Sequence, residues 1–141
     1  MNVPRVRVMC VDDNELVAES IGLRLRAEPS VEWLGWLFHP DDLLSGIQQA
    51  RPDVLLLDVD MPGHDAFELL RNLNITCPDI RTLMFSGHGR PDYVDRAIAA
   101  GAWGYVSKNE SVDELLAAIH KVVSGEFALS DDLSSLHLNT G

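Results

Sequence analysis

The chain has 141 residues, 46% of them hydrophobic, and this length and composition suit one globular domain with a single core. Its 22 acidic and 11 basic side chains give a formal net charge of −11, which argues against direct binding to nucleic acid. No apolar run approaches the length of a membrane span. With no secretory segment after Met1 and two cysteines without metal-ligand spacing, the chain is predicted to be cytoplasmic.

Strand and helix patterns alternate from the start of the chain. A short β-branched strand is predicted at Arg5–Val11, followed by a helix with apolar residues at helical spacing. A second strand follows at Val31–Phe38, and Pro40 favours the start of the second helix at that residue. The third strand, Asp53–Val59, contains an unbroken apolar run, which indicates burial on both of its faces.

The second half of the chain continues the alternation. A short helix leads to a fourth strand at Ile80–Ser86, and a helix closed by Gly101 leads to a fifth strand at Trp103–Lys108. Ser111 and Glu114 form a capping box that opens the last helix. When each strand is followed by a helix, the strands pair in parallel and the connections between them are right-handed crossovers. The sequence therefore predicts an open, doubly wound α/β sheet.

The last predicted helix ends near Gly125. Residues 1–125 are therefore predicted to form one domain. Residues 126–141 lose the periodicity and are predicted to be a C-terminal linker or tail.

Polar side chains fall where the predicted strands end, and α/β sheets form their binding sites at the carboxyl ends of strands. The residues concerned are Asp12, Asp13, Asp58, Ser86 and Lys108. Three neighbouring carboxylates repel one another unless a cation binds, and Mg²⁺ prefers oxygen ligands. Asp58 is placed to attack phosphorus, with Lys108 neutralising the developing charge and Ser86 donating a hydrogen bond.

Each of these residues also has an ordinary explanation. Asp12 and Asp13 suit a cap of the first helix, and Asp58 suits an acid that merely follows a strand. Taken alone, Lys108 is explained equally well as a solvated surface lysine, and Ser86 as a serine whose hydroxyl lies in a turn. Their joint position at four strand ends favours a common site.

This set resembles the receiver domain of two-component response regulators. The resemblance covers Arg5–Gly125 and includes family-like intervals of 45 residues from Asp13 to Asp58, 28 to Ser86 and 22 to Lys108. It implies a flavodoxin-like (βα)5 sheet with strand order 2-1-3-4-5. It also implies that Asp58 accepts a phosphoryl group from a sensor histidine kinase, and that the domain catalyses only its own phosphorylation and dephosphorylation.

The resemblance further implies a Mg²⁺ site. Asp13 and Asp58 would bind the ion directly, Asp12 would act through water, and the backbone carbonyl of Asp60 would complete the protein ligands. The side chain of Asp60 adds an acid beside the site, where it is implied to tune the lifetime of the phosphoryl group.

A switch is implied as well. Ser86 would move toward the phosphoryl group and Tyr105 would rotate inward, which would change the surface of the fourth helix, fifth strand and fifth helix. His88 lies two residues after Ser86, where the family resemblance implies control over phosphoryl lifetime. A plain surface histidine is the alternative for His88.

The stretch "AAGAWGYVSKNESVDELLAAIHKVVSGE" resembles receivers that precede a LuxR-type (NarL-like) helix-turn-helix. This implies a transcriptional output through a DNA-binding domain outside the 141 residues, and a homodimer on phosphorylation. We expect an excised receiver. Asn109 follows Lys108 where many receivers have proline, which leaves the geometry of that loop open.

Two alternatives remain open. "DVDMPG" also resembles the Asp-x-Asp motif of haloacid-dehalogenase-like phosphatases, in which Asp60 would be a general acid-base. Those enzymes place the nucleophile after their first strand, whereas two predicted strands precede Asp58. The other alternative is a degenerate receiver that only binds other proteins.

Overall fold

The computed structural model describes residues 4–87 and 91–130 as a parallel sheet between two layers of helices. Its strands are β1 (Val6–Val11), β2 (Val31–Leu37), β3 (Val54–Asp58), β4 (Arg81–Ser86), β5 (Gly104–Ser107) and β6 (Ala128–Leu129). Its helices are α1 (Glu15–Arg26), α2 (Leu43–Ala50), α3 (Ala66–Thr76), α4 (Pro91–Ala99) and α5 (Val112–Val123). The strand order β2-β1-β3-β4-β5-β6 confirms the predicted flavodoxin-like sheet and adds one strand at its edge.

The apolar core lies on both faces of the sheet. One cluster includes residues of α2, α3 and α4, and the other includes residues of α1 and α5. Along β3, Leu55 and Leu57 belong to the first cluster, and Val54 and Leu56 belong to the second. Each of these four side chains is fully buried, and the burial of one leucine side chain stabilises the folded state by roughly 1.5–3 kcal/mol. The predicted burial of β3 on both faces is confirmed.

Local chemistry sets the ends of the helices. Ser111 caps α5, and its Oγ accepts a hydrogen bond from the amide of Glu114 at 3.2 Å. Pro40 begins a 3₁₀ turn, Pro40–Asp42, and α2 starts only at Leu43, so the predicted start of that helix was wrong by three residues. In residues 4–87 and 91–130, no helix has both the length and the apolar composition needed to cross a membrane.

The sixth strand lies in the segment predicted to be a linker or tail. β6 pairs in parallel with Gly104 and Tyr105 of β5. The close approach depends on Gly104, because a Cβ atom built there would lie 2.4 Å from the carbonyl oxygen of Ala128. A strand of two residues has too few positions to show alternation, which explains why the sequence pattern missed it.

Candidate functional site

The carboxyl ends of β1, β3, β4 and β5 meet at one edge of the sheet and bring the predicted polar residues together. One carboxylate oxygen from each of Asp12, Asp13 and Asp58 lies within 4.8 Å of the other two. Asp12, Asp58 and Ser86 are buried, with 0%, 1% and 1% of their surfaces exposed, whereas Asp13 is exposed. The site is therefore an acidic cluster that opens to solvent on the Asp13 side.

Lys108 connects two of these carboxylates. Its Nζ lies 2.9 Å from Oδ2 of Asp12 and 3.1 Å from Oδ1 of Asp58. Burial lowers the pKa of Lys108, but its hydrogen bonds with Asp12 and Asp58 and their charges outweigh this effect and raise the pKa above its ordinary value. The ammonium group therefore stays charged at neutral pH and partly compensates the buried acids.

The environment of Asp58 disfavours its negative charge. Desolvation by burial is the main cause, and together with the charge of Asp12 it raises the pKa of Asp58 to about 6. The amide of Asp60, 3.0 Å from Oδ1, and the nearby Lys108 act in the opposite direction. The second oxygen, Oδ2, is buried and accepts no hydrogen bond from the described residues. Asp58 thus has a buried oxygen available for a ligand or a new bond.

This donor set suits a hard divalent cation. Mg²⁺ takes oxygen ligands and usually keeps several waters, so one or two carboxylates suffice to hold it. Asp12, Asp13 and Asp58 supply a carboxylate each, and the unpartnered Oδ2 of Asp58 would gain a partner from an ion. The acidic cluster could therefore bind a metal ion.

Ser86 and Tyr105, predicted as a pair, lie together. Ser86 Oγ donates a hydrogen bond to Oδ2 of Asp60 at 2.9 Å, and Tyr105 is fully buried beside it. Burial raises the pKa of Tyr105 to about 12, although its hydrogen bond with Ser86 acts in the opposite direction. The contact of the Asp60 side chain with Ser86 was not foreseen from the sequence. His88 lies outside the described residues.

The first helix is capped by a residue that the sequence analysis did not single out. Asn14 precedes α1, and its side-chain oxygen accepts hydrogen bonds from the amides of Leu16 and Val17. Asp12 in turn accepts a hydrogen bond from the amide of Asn14 at 2.8 Å. Asparagine before an apolar-periodic run is itself a capping signal. Asp12 and Asp13 are therefore not the helix cap, which leaves their carboxylates to the acidic cluster.

Two further serines fix the start of the loop after β5, Ser107 at the end of β5 and Ser130 after β6, and neither was predicted from the sequence. Ser107 Oγ accepts a hydrogen bond from the amide of Asn109, and the amide of Ser107 donates to Oγ of Ser130, both at 3.0 Å. All peptide bonds of the described residues are trans, including the one between Lys108 and Asn109. The geometry of the loop at Lys108 and Asn109, which the sequence left open, is therefore fixed by these hydrogen bonds around a trans peptide bond.

The position of Asp58 also bears on the phosphatase alternative. Asp58 ends β3, so β1 and β2 precede it along the chain. Asp12 forms an ion pair with Lys108. The phosphatase arrangement would assign no role to Asp12. The observed arrangement does not fit that alternative.

The family model of the response regulator receiver domain matches residues 8–120 of this chain. Among curated proteins, the chain is 34% identical to the transcriptional regulatory protein MctR of Rhizobium johnstonii, across 86% of this chain and 57% of that protein. It is also 34% identical to the DNA-binding transcriptional activator DevR/DosR of Mycobacterium tuberculosis, across 89% of this chain and 58% of that protein. The chain thus spans a little more than half the length of these relatives.

Solved structures show the same fold. A two-component response regulator of the LuxR family from an Aurantimonas species superposes with a TM-score of 0.90 at 26% identity, over 96% of this chain and 97% of that one. The isolated REC domain of RcsB from Salmonella enterica serovar Typhimurium gives a TM-score of 0.85 at 20% identity, over 94% of this chain and 98% of that one.

Proposed function

We propose that this chain, which belongs to the family of response regulator receiver domains, accepts a phosphoryl group on Asp58. The observation that carries the proposal is the buried Asp58 carboxylate, whose Oδ2 accepts no hydrogen bond from the part of the chain that the structure describes and whose Oδ1 lies 3.1 Å from Nζ of Lys108. Within the chain, residues 1–125 would be the receiver, β6 would extend its sheet, and the remainder of residues 126–141 would begin the connection to an output.

The donor would be a phosphohistidine of a sensor histidine kinase. An oxygen of Asp58 forms a bond to phosphorus while the bond from phosphorus to the histidine nitrogen breaks. The electron pair of that bond stays on the imidazole, which takes up a proton from solvent, and Asp58 becomes an acyl phosphate. Lys108 neutralises charge on the transferred group, and Ser86 donates a hydrogen bond to it.

A metal ion would be held directly by the carboxylates of Asp13 and Asp58 and by the backbone carbonyl of Asp60, with Asp12 acting through water. The acidic cluster supports this assignment, since its three carboxylate oxygens approach within 4.8 Å. We assign Mg²⁺, whose charge, when bound, would offset repulsion between the acids and the incoming phosphoryl oxygens.

Phosphorylation would act on a switch formed by Ser86 and Tyr105. Ser86 would leave Asp60 to donate to the phosphoryl group, which would favour the buried position of Tyr105 over an outward one. The surface of α4, β5 and α5 would then change, favour a homodimer and control a transcriptional output. The named relatives, which are transcriptional regulators, support this output.

Asp60 and His88 would tune the lifetime of the acyl phosphate. For Asp60, the hydrogen bond that its carboxylate accepts from Ser86 supports this role. For His88 the proposal rests on its place in the sequence, two residues after Ser86. An unchanged dephosphorylation rate in His88→Ala would remove His88 from the proposal.

The proposal is tested by intact mass after incubation with acetyl phosphate and Mg²⁺. We expect a gain of one phosphoryl group that disappears in Asp58→Asn and in the presence of a chelator. Asp79→Asn, an exposed acid elsewhere on the surface, is the matched control and should be phosphorylated normally.

Failure of the unmodified chain to gain mass would contradict the proposal and favour a receiver that only binds other proteins. Continuous release of inorganic phosphate from many phosphate esters would show a phosphatase instead. A receiver should lose its own phosphoryl group slowly and turn over no other ester.

A further inference from the structure

We propose that Ser130 is a positioning residue of the phosphorylation site, acting on Lys108 through Ser107. The inference rests on the proposed function, because it assigns Ser130 a part in the same reaction. Ser130 follows β6, in a segment that the sequence analysis assigned to a linker or tail.

Ser130 is held against β5 by two hydrogen bonds. Its Oγ accepts from the amide of Ser107 at 3.0 Å, and its own amide donates to the carbonyl oxygen of Tyr105 at 3.2 Å. Both serines are buried, with 8% of Ser130 and 4% of Ser107 exposed. A buried amide needs an acceptor, and the hydroxyl of Ser130 satisfies the amide of Ser107.

Three successive backbone amides around Lys108 are restrained in this way. The amide of Ser107 donates to Ser130 Oγ, that of Lys108 donates to the carbonyl oxygen of Ser86 at 2.8 Å, and that of Asn109 donates to Ser107 Oγ. Two of the three bonds involve Ser107. The acceptor for the Ser107 amide, Oγ of Ser130, belongs to the segment that follows α5 in the chain.

This restraint matters because Lys108 must reach two carboxylates at once. Its Nζ lies 2.9 Å from Asp12 and 3.1 Å from Asp58, and both distances depend on where the backbone of the loop places the side chain. A displacement of the loop by about 1 Å would weaken both ion pairs and misplace the charge that meets the phosphoryl group. Ser130 thus stabilises the loop position from which Lys108 acts.

The test compares Ser130→Ala with Ser130→Thr, which retains the hydroxyl, and with Ser124→Ala, an exposed serine at the end of α5. The initial rate of phosphorylation by acetyl phosphate is followed by intact mass, and the Mg²⁺ affinity is measured by calorimetry without a donor. We expect Ser130→Ala to lower the rate about tenfold without weakening the binding of Mg²⁺, because it displaces Lys108 and leaves the carboxylates in place. The other two variants should match the unmodified chain.

A second measurement needs neither phosphorylation nor a variant. Hydrogen exchange of the Ser107 amide should be as slow in the unmodified chain as that of amides inside β4. Fast exchange there, an unchanged phosphorylation rate in Ser130→Ala, or a parallel loss of Mg²⁺ affinity would overturn the inference. If the unmodified chain gains no phosphoryl group, the proposed function fails, whereas slow exchange at Ser107 would still show the restraint.

Discussion

Ser86 donates a hydrogen bond to Asp60, with 2.9 Å between Oγ and Oδ2. A serine hydroxyl has a single proton to donate, so Ser86 cannot donate to Asp60 and to a phosphoryl group on Asp58 at the same time. The hydrogen bond with Asp60 therefore stabilises the unphosphorylated arrangement. The acid at position 60 competes with the phosphoryl group for Ser86.

Asp60→Ala should strengthen the binding of beryllofluoride, a phosphoryl analogue, by about fivefold, because it releases Ser86 and removes a negative charge beside the site. Calorimetry at constant Mg²⁺ measures this change. Asp60→Asn keeps an acceptor for Ser86 but loses the charge, so its affinity should fall between those of the unmodified chain and Asp60→Ala. Weaker binding by Asp60→Ala would contradict the competition.

Lys108→Met should destabilise the metal-free protein by about 3 kcal/mol, because it leaves the buried Asp12 and Asp58 without their cation. Added Mg²⁺ should restore part of this loss in the variant, since a bound cation compensates the same carboxylates. Urea unfolding at pH 7 with and without Mg²⁺ measures both effects. Lys121→Met, at an exposed position of α5, is the matched control. Equal unfolding midpoints for the two variants would refute the compensating role of Lys108.

The strand ends are the part of the site that the sequence predicts well. Asp12, Asp58, Ser86 and Lys108 each follow an apolar run, and parallel topology brings the ends of such runs to one edge of the sheet. Their contact therefore follows from pattern and topology alone. The strand order 2-1-3-4-5 was instead implied by the resemblance to receiver domains, and the structure confirms it.

The side-chain contacts of Asp60 and Ser130 could not be predicted in this way. Whether Asp60 faces the metal, the solvent or Ser86 depends on its rotamer in the folded site, which no spacing encodes. Ser130 finds Ser107 only because a two-residue strand docks beside β5. That docking is decided by tertiary contact, so local periodicity gives no sign of it.

Asp58→Asn should stabilise the metal-free protein at neutral pH. Burial raises the pKa of Asp58 from 3.8 to about 6, so between these values the folded state holds a proton that the unfolded state has released. The free energy of unfolding contributed by Asp58 therefore falls as pH rises through this window, by roughly 2–3 kcal/mol in total.

Urea unfolding in a chelator at pH 4 and pH 7 tests this dependence. The stability gain of Asp58→Asn over the unmodified chain should be large at pH 7 and almost absent at pH 4, where the acid is protonated in the folded state. Asp79→Asn, whose carboxylate is exposed, should show no comparable dependence on pH. An equal gain at both pH values would exclude a raised pKa as the cause.

Gly104→Ala should loosen β6 and lower the free energy of unfolding by about 2 kcal/mol. A Cβ atom at Gly104 would lie 2.4 Å from the carbonyl oxygen of Ala128 and 2.5 Å from Cδ2 of Leu83. The leucine can adjust its rotamer, but the carbonyl belongs to the backbone of β6 and relieves the contact only if that strand moves away. Such a movement should also speed hydrogen exchange at the Ser107 amide, whose acceptor is Ser130.

Gly87→Ala is the matched control, because a Cβ atom there would meet no atom of residues 4–87 and 91–130 within 4 Å. Urea unfolding and amide exchange, measured on both variants, separate the steric effect from the general effect of replacing glycine. If Gly104→Ala lost stability while the Ser107 amide stayed protected, the strain would fall on Leu83 and not on β6. A loss of both unfolding free energy and Ser107 amide protection in Gly104→Ala, but not in Gly87→Ala, would identify the close fit of β6 against β5 as the cause. Both changes would then originate at the Ala128 carbonyl.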